Sequence, residues 1–339
     1  MVFDFEKNPS LLLANRQALK KMPACGSYCK AFLAAYLTNC GVAADVARIS
    51  VIRADVQKNH NMLSPFRRAV GTSYATILSA QEDPALLFKK TNQAYQLLRG
   101  ANLKAGGYAA ITSLLLALYV QQTKMDDIAM DTARHYALLQ KSFRIAVPMD
   151  FYIICAVAAC LGLDAEKNML AIEEQLKYLV QITRKWDAKR DVLRAATILS
   201  YSQQPAAEQF LAALNALAQN AVQYTSRIYP ALAVLCTLSG DVQSDVTTLL
   251  AWERKLRMQK HFKGVSMDRD SRFVLLCNLY IGKYEQHPNG KALQLALFML
   301  NISAAEGLEE ENKQRLKVIP VAETDDIQDE YTAKRNGGI

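Results

Sequence analysis

Leucines recur about every 40 residues along most of this chain, each near the end of an apolar stretch of helix length. They are Leu37, Leu78, Leu118, Leu161, Leu199, Leu238 and Leu279, at intervals of 41, 40, 43, 38, 39 and 41 residues. A second, amphipathic stretch follows most of the apolar ones. A period of this length with two helices per unit is typical of arrays of helical hairpins. The leucine register therefore predicts a chain built from repeated helix pairs.

Apolar helices are predicted at 27–39, 70–80, 108–120, 151–163, 192–202, 231–238 and 272–281. The amphipathic helices are predicted to begin after turn residues, because acids, serine and proline favour the first turn of a helix. These turns are Glu82-Asp83-Pro84, Asp126-Asp127, Asp164, Gln204-Pro205 and Ser244-Asp245. With only 14 Gly and 9 Pro in 339 residues, the chain is predicted to be all-α. Its tandem hairpins of about 40 residues would form an α-solenoid or an α/α toroid-like array.

Three segments are predicted from these patterns. Residues 1–22 form an N-terminal helix, and residues 23–306 form a helical-repeat domain of about seven hairpins, the last of which, Lys291–Ala305, is a cap. Residues 307–339 form an acidic, poorly ordered tail. Removing its eight acids and five bases from the chain's 32 acids and 40 bases leaves 24 acids and 35 bases in residues 1–306. A basic body of this kind permits binding to polyanions.

The chain is expected to be cytoplasmic and not to span a membrane. Its N-terminus lacks the basic and apolar regions of a signal peptide, and its apolar runs fall short of the roughly 20 residues that span a bilayer. Seven cysteines, an odd number, lie mostly in apolar helices, among them Cys155, Cys160, Cys236 and Cys277. Buried, reduced thiols fit the cytoplasm.

Short motifs resemble one known family. The run Ser64-Pro65-Phe66-Arg67, then Glu82-Asp83-Pro84, then Tyr95-Gln96-Leu97-Leu98, with Tyr108 opening the next apolar helix, resembles a bacterial family catalogued as domain of unknown function four thousand and three. The resemblance covers about residues 25–285. It implies a cytoplasmic, all-helical bacterial protein without an assigned activity. The later loops Lys141-Ser142-Phe143-Arg144 and His261-Phe262-Lys263-Gly264 lack the proline of the first loop.

No residue pattern points to a catalytic, cofactor or metal site. The four histidines are scattered without zinc spacing, and neither a phosphate-binding glycine loop nor a nucleophile elbow occurs. Cys25 and Cys29, with Cys40 beyond, have two interpretations. One is a metal or redox site, and the other is packing of small apolar residues in the core. Two sets of acids are candidate catalytic carboxylates. The first is Asp126, Asp127 and Asp131, and the second is Glu173 with Glu174. Acids at a helix start are favoured without any chemistry.

Charge is distributed unevenly between the two kinds of loop. Loops that lead from an amphipathic helix to the next apolar helix are rich in bases, whereas acids lie at the opposite turns. Because equivalent loops fall on one edge of a regular stack, a basic rim is predicted. Its candidate partner-binding residues are Arg67, Arg68, Arg144, Lys185, Arg227 and Lys263. The alternative is that these charges only complement the helix dipoles.

Three functions remain open at this stage. The first is a non-enzymatic helical-repeat binding or scaffold protein that uses a groove or the basic rim to hold an acidic protein segment. The second is a nucleic-acid-binding helical repeat, whose affinity would fall steeply with salt. The third is an α/α toroid enzyme with an acid-lined cleft, in which Asp127 and Asp131 would be the residues to test.

Overall fold

The computed structural model describes residues 9–22, 26–67, 70–143, 147–183, 189–202, 206–220, 223–263, 267–306 and 308. These residues are all-helical, with no strand among them. The helices are α1 Ser10–Leu19, α2 Ser27–Asn39, α3 Val46–Asn59, α4 Gly71–Ser79, α5 Pro84–Gly100, α6 Gly107–Tyr119, α7 Met125–Ser142, α8 Phe151–Cys160, α9 Ala165–Thr183, α10 Lys189–Leu199, α11 Ala206–Gln219, α12 Tyr229–Leu238, α13 Val242–Met258, α14 Arg269–Tyr280 and α15 Gly290–Ala305. Within this part of the chain, no helix combines the length and apolar character needed to cross a membrane.

The even-numbered helices from α2 to α14 are the apolar helices predicted from the leucine register. Every residue of α4 and α12 is buried, as are nearly all residues of α8 and α14. A helix that is apolar on all sides is stable only when other elements surround it. Each of the seven leucines lies in the last turns of one of these helices or directly after it.

The odd-numbered helices from α1 to α13 are amphipathic. In α7 the buried residues Met125, Ala129, Thr132, Tyr136 and Leu139 recur every three or four positions, which is the spacing of one helix face. Several of these helices begin at an aspartate whose carboxylate accepts a hydrogen bond from a backbone N–H, as Asp83 does from Leu86 and Asp164 from Lys167, both at 2.9 Å. The predicted acidic helix starts at these two turns are therefore confirmed.

Each amphipathic helix packs against the apolar helix that follows it, in the pairs α1 with α2 through α13 with α14. The N-terminal helix α1 is therefore the partner of α2 and packs as the other odd-numbered helices do. Apolar helices also pack on one another: α2 on α4, and each of α6 to α12 on the next apolar helix. In addition, α14 packs against α2, and the Asn39 side chain donates to the Asn278 carbonyl oxygen at 2.9 Å.

Helix α15 contacts helices far apart in the sequence. It packs against α2, α6, α8, α12 and α14, so its contacts extend well beyond the helices that directly precede it. Asn289, just before α15, donates to the carbonyl oxygen of Tyr201, which follows α10. Glu306, just after α15, accepts from Ser73 near the start of α4. Helix α15 therefore runs antiparallel to α4 and α10, from what we call the end face, where the apolar helices end, to the start face, where they begin.

Candidate functional site

A cavity of about 460 Å³ opens on the start face. Its walls come from the first residues of α2, α10 and α12, from the turn before α12, from Val274 in the middle of α14, and from the C-terminal half of α15. The polar side chains that line it are Tyr28, Arg190, Asp191, Arg194, Ser226, Arg227 and Asn301. We call it the arginine cavity, because three of these side chains are arginines.

Asp150 anchors two of the arginines from behind the cavity wall. It directly precedes α8, and its side chain is fully buried. Its carboxylate accepts a hydrogen bond from Nε of Arg194 at 2.5 Å. Nη2 of Arg190 lies 3.2 Å from Oδ1, close enough for an ion pair although it is not aligned as a hydrogen bond. A buried carboxylate is tolerated only when it is paired in this way, so Asp150 holds the Arg194 guanidinium in place.

Asp191 continues this network towards the next helix pair. One carboxylate oxygen lies 3.1 Å from Nη1 of Arg194, and the other accepts from the Ser226 hydroxyl at 2.7 Å. Ser226 begins the short 3-10 helix Ser226–Ile228, which leads into α12. The polar network therefore ties the starts of α8, α10 and α12 together at one side of the arginine cavity.

Arg227 lies on the other side, where α12 meets α14. Its Nη1 forms an ion pair with Asp268 at 2.7 Å, and both side chains are about half exposed. Burial on its own would raise the pKa of Asp268, but hydrogen bonds from Ser271 and Arg227 hold that pKa below its usual value. The neighbouring Thr225 donates its backbone N–H to Asp270 at 3.3 Å, which joins the same turn to α14.

The charges that line the cavity favour an anion. Three arginines face one aspartate among its lining residues, and the N-terminal ends of α10 and α12 add the positive ends of two helix dipoles. A guanidinium presents several N–H donors in a fixed plane that matches carboxylate and phosphate groups. Because aspartates already orient these arginines, little side-chain ordering remains when a ligand binds.

Glu306 places a half-buried carboxylate of the chain itself on the start face. Glu306 accepts hydrogen bonds from the Ser73 hydroxyl and, at 3.6 Å, from the Cys29 thiol. Burial raises the pKa of Glu306. The side chain of Leu308 packs directly against Gly107 at the start of α6. The chain therefore leaves α15 on the same face as the arginine cavity.

Of the six predicted rim residues, the structure describes three, and these three lie at different places. Arg227 lines the arginine cavity. Arg67 lies in the turn before α4, where its guanidinium donates to the carbonyl oxygen of His60 at 3.3 Å, and Lys263 is exposed after α13. Neither lines this cavity. The remaining three, Arg68, Arg144 and Lys185, lie outside the described residues.

Sequence reasoning missed Arg194 and the acids behind it. Arg194 lies within α10, whereas the predicted basic rim includes only bases in loops. Two signals could have found it: the spacing of three residues from Asp191, which brings both side chains to one helix face, and Asp150, a charge placed directly before an apolar helix.

The other candidates of the sequence lie elsewhere. Asp127 and Asp131 are exposed on α7 and do not line the arginine cavity. Cys29 is buried and Cys40 exposed, while Cys25 lies outside the residues the structure describes. Across those residues, no group of three metal-binding side chains is present.

Comparison with known proteins gives one match. A family model described as "Protein of unknown function (DUF4003)" matches residues 17–305, which include every residue of the arginine cavity. No curated protein matches the chain, and no solved structure does.

Proposed function

Because this chain belongs to the DUF4003 family of proteins of unknown function, we propose a function from its geometry alone. We propose that it is a non-enzymatic binding protein, and that it holds an acidic segment of a partner protein at the arginine cavity. The observation that carries the proposal is the set of three arginines at one cavity, oriented by Asp150, Asp191 and Asp268.

We further infer that the helix pairs form a closed α/α ring around α15. The contact of α14 with α2 supports closure, and the contacts of α15 with helices from both halves of the chain support its central place. In such a ring the centre is filled by a helix, which leaves the two faces as the surfaces for binding. This arrangement favours a binding protein over an enzyme with a deep central cleft.

The alternative interpretation is that the arginines only stabilise the helix starts. The ion pair of Arg227 with Asp268 fits that role, because an exposed pair of this kind contributes about 0–1 kcal/mol. It does not account for a cavity of about 460 Å³ between three helix starts, α14 and α15, since pairing alone requires no open space. The two interpretations differ in what they predict for a ligand.

A direct binding measurement tests the proposal. The probe is a fluorescein-labelled oligo-glutamate peptide, followed by fluorescence anisotropy at about 50 and about 300 mM salt, because salt screens charge pairing. We expect Arg227→Glu to weaken binding by about tenfold or more, which is about 1.4 kcal/mol. The matched control Lys89→Glu reverses the same charge at an exposed position on α5 and should leave affinity unchanged.

Two results would overturn this function. The first is an absence of peptide binding to the unaltered protein at the lower salt concentration. The second is equal weakening by Arg227→Glu and Lys89→Glu, which would indicate attraction by overall charge and no defined site. Thermal unfolding of both variants checks that neither change disrupts the fold.

The excess of bases in residues 1–306 favours nucleic acid as a second candidate partner. The same anisotropy assay with a labelled single-stranded DNA separates the two. A nucleic-acid partner predicts tighter binding of DNA than of the peptide and a steep linear fall of log affinity with log salt. A shallow salt dependence with preference for the peptide supports the first candidate.

We also propose a cytoplasmic location. The buried thiols of Cys155, Cys236 and Cys277 support it, because buried free cysteines are usual where proteins are kept reduced. Burial raises the pKa of all three thiols, which makes them poor nucleophiles.

A further inference from the structure

The sequence beyond Leu308 carries an apolar stretch followed directly by an acidic one. Residues 318–322 read Val-Ile-Pro-Val-Ala, and residues 323–330 read Glu-Thr-Asp-Asp-Ile-Gln-Asp-Glu, with five acids. No lysine or arginine occurs from residue 318 to residue 333, although bases lie on both sides of this range. We call residues 318–330 the tail segment. It lies outside the described residues.

The arginine cavity offers a matching pair of surfaces. Its cationic part includes the side chain of Arg227, which is 53% exposed and therefore open to a ligand. Much of the remaining lining is apolar, with Pro230, Val274, Leu297 and Leu300. A segment with an apolar stretch beside its acids thus complements this lining in both hydrophobicity and charge.

The chain leaves α15 at the edge of this cavity. Ala304, in the last turn of α15, is one of the lining residues. Leu308 follows four residues later, so its Cα atom is at most about 15 Å from that of Ala304. The hydrogen bond from Ser73 to Glu306 and the packing of Leu308 against Gly107 hold this part of the chain on the start face. The tail segment is therefore joined to a fixed point near the cavity.

The connection is long enough to return to the cavity. Residues 309–317 separate Leu308 from the tail segment, and nine residues span up to about 30 Å when extended. This is about twice the greatest separation between Leu308 and Ala304. A short tether gives its attached segment a local concentration in the millimolar range, so a weak intrinsic affinity is enough to fill the cavity in many molecules.

We propose that the tail segment binds in the arginine cavity of its own chain and competes there with the acidic segment of the partner. This inference rests on the function proposed above for the cavity. The acids of residues 323–330 pair with the arginines, and residues 318–322 pack on the apolar lining. The partner then binds only those molecules whose cavity is empty, which lowers its apparent affinity.

Neutral tail variants of the full chain test this competition. The test variant replaces three acids of the tail segment, Asp325→Asn, Asp326→Asn and Asp329→Asn. The control variant removes three charges before the tail segment, by Glu309→Gln, Glu310→Gln and Glu311→Gln. With the labelled oligo-glutamate peptide at about 50 mM salt, we expect the test variant to lower Kd about fivefold or more, because more cavities are empty. The control variant should bind as the unaltered protein does.

The outcomes separate this inference from the proposed function. If the peptide binds the unaltered protein and Arg227→Glu weakens that binding, the function stands, and equal Kd values for the test and control variants then contradict the inference alone. If no form of the protein binds the peptide, both fail. When Arg227→Glu is added to each variant, the difference between them should disappear, and a difference that persists would show that the tail acts at another site.

A labelled peptide of residues 318–330 measures the contact directly. It should bind the test variant several-fold more tightly than a peptide of the same residues in shuffled order, because the apolar and acidic stretches must meet the corresponding parts of the lining. Arg227→Glu should weaken its binding about tenfold, or about 1.4 kcal/mol. Equal binding of the native and shuffled peptides would contradict a matched site.

Sedimentation velocity of the full chain distinguishes binding within one molecule from binding between two copies. Binding within the molecule predicts a monomer for both the unaltered protein and the test variant across the micromolar range. Association that grows with concentration in the unaltered protein and is lost in the test variant would place the tail segment in the cavity of a second copy, which would overturn the inference.

Discussion

Asp245 is the most heavily hydrogen-bonded carboxylate among the residues described. It lies in the first turn of α13 and accepts hydrogen bonds from Tyr280 at 2.6 Å, from Lys283 at 2.7 Å and from Ser239 at 2.5 Å, as well as from the Tyr284 hydroxyl. Burial alone would raise the pKa of Asp245, but these hydrogen bonds lower it below its usual value. A single side chain thus connects the α12–α13 turn to the end of α14.

The charge of Asp245 should therefore make a pH-dependent contribution to stability. Since its folded-state pKa is lowered, the contribution is complete well above the unfolded pKa of about 3.9 and is lost as the pH falls through the folded pKa. We expect Asp245→Asn to lower the free energy of unfolding by about 1–3 kcal/mol at neutral pH. The gap to the unaltered protein should shrink as the pH falls from about 5 towards about 2.

Urea denaturation across this pH range measures the gap. Asp127→Asn, which removes an exposed carboxylate on α7, is the control and should show little effect at any pH. A gap that stays constant with pH would mean that packing of the amide, and not the charge, causes the loss.

At the level of single residues, sequence reasoning succeeded where one local rule decides and failed where partners come from distant segments. Asp83 and Asp164 were predicted as helix starts because capping depends on the next three residues alone. The pairing of Asp150 with Arg194 joins residues on separate helices, so no local rule indicates it. Arg227 was selected for its loop, but its partner Asp268 is 41 positions away.

At the level of helices, the sequence predicted most of the elements, because long apolar stretches mark them. The prediction for α2, residues 27–39, coincides with the helix. Helix α10 begins at Lys189, three residues before its predicted start, because the charged residues Lys189, Arg190 and Asp191 form its first turn. Helix α8 ends at Cys160, three residues before its predicted end. Gly162, which follows, adopts a φ of 67°, a backbone conformation that favours glycine and stops a helix.

The start of α15 depends on close contact with the preceding 3-10 helix. A Cβ atom at Gly290 would overlap the carbonyl oxygen of Tyr284, so only glycine fits without a backbone shift. We expect Gly290→Ala to lower the free energy of unfolding by about 1–3 kcal/mol. Gly100→Ala, at the last residue of α5, meets nothing within 4 Å and should be neutral or stabilising by up to about 1 kcal/mol.

Chemical denaturation of the two glycine variants measures this difference. Equal midpoints would show that the α15 start can move away from Tyr284 at no cost, which would contradict close packing there.

For the whole molecule, contacts between distant helices matter most, and the sequence did not predict them. A repeat of about 40 residues fits an open solenoid as well as a ring, because both use the same contacts between neighbours. The contact of α14 with α2 and the contacts of α15 support the ring that we propose. Asn39 and Asn278, which link the two ends of the series, are 239 positions apart, and no periodic pattern relates them.

A closed ring predicts that damage at one end of the sequence is felt at the other. Leu33 is fully buried in α2, and Leu33→Ala should lower stability by about 2–5 kcal/mol. In a ring, amide hydrogen exchange should accelerate in α14 as much as in α4, since both pack on α2. In an open array, the effect should decay with distance along the chain, so undisturbed exchange in α14 would argue against closure.

The position of α15 also has a consequence for biosynthesis. This helix is translated after all the other described helices, yet it packs against five of the apolar helices made before it. At about 5–20 residues per second, roughly 12 to 50 s separate the synthesis of α2 from that of α15. During this time the apolar surfaces that α15 covers in the folded protein lack this partner. The nascent chain should therefore depend on chaperones until its last described helix emerges.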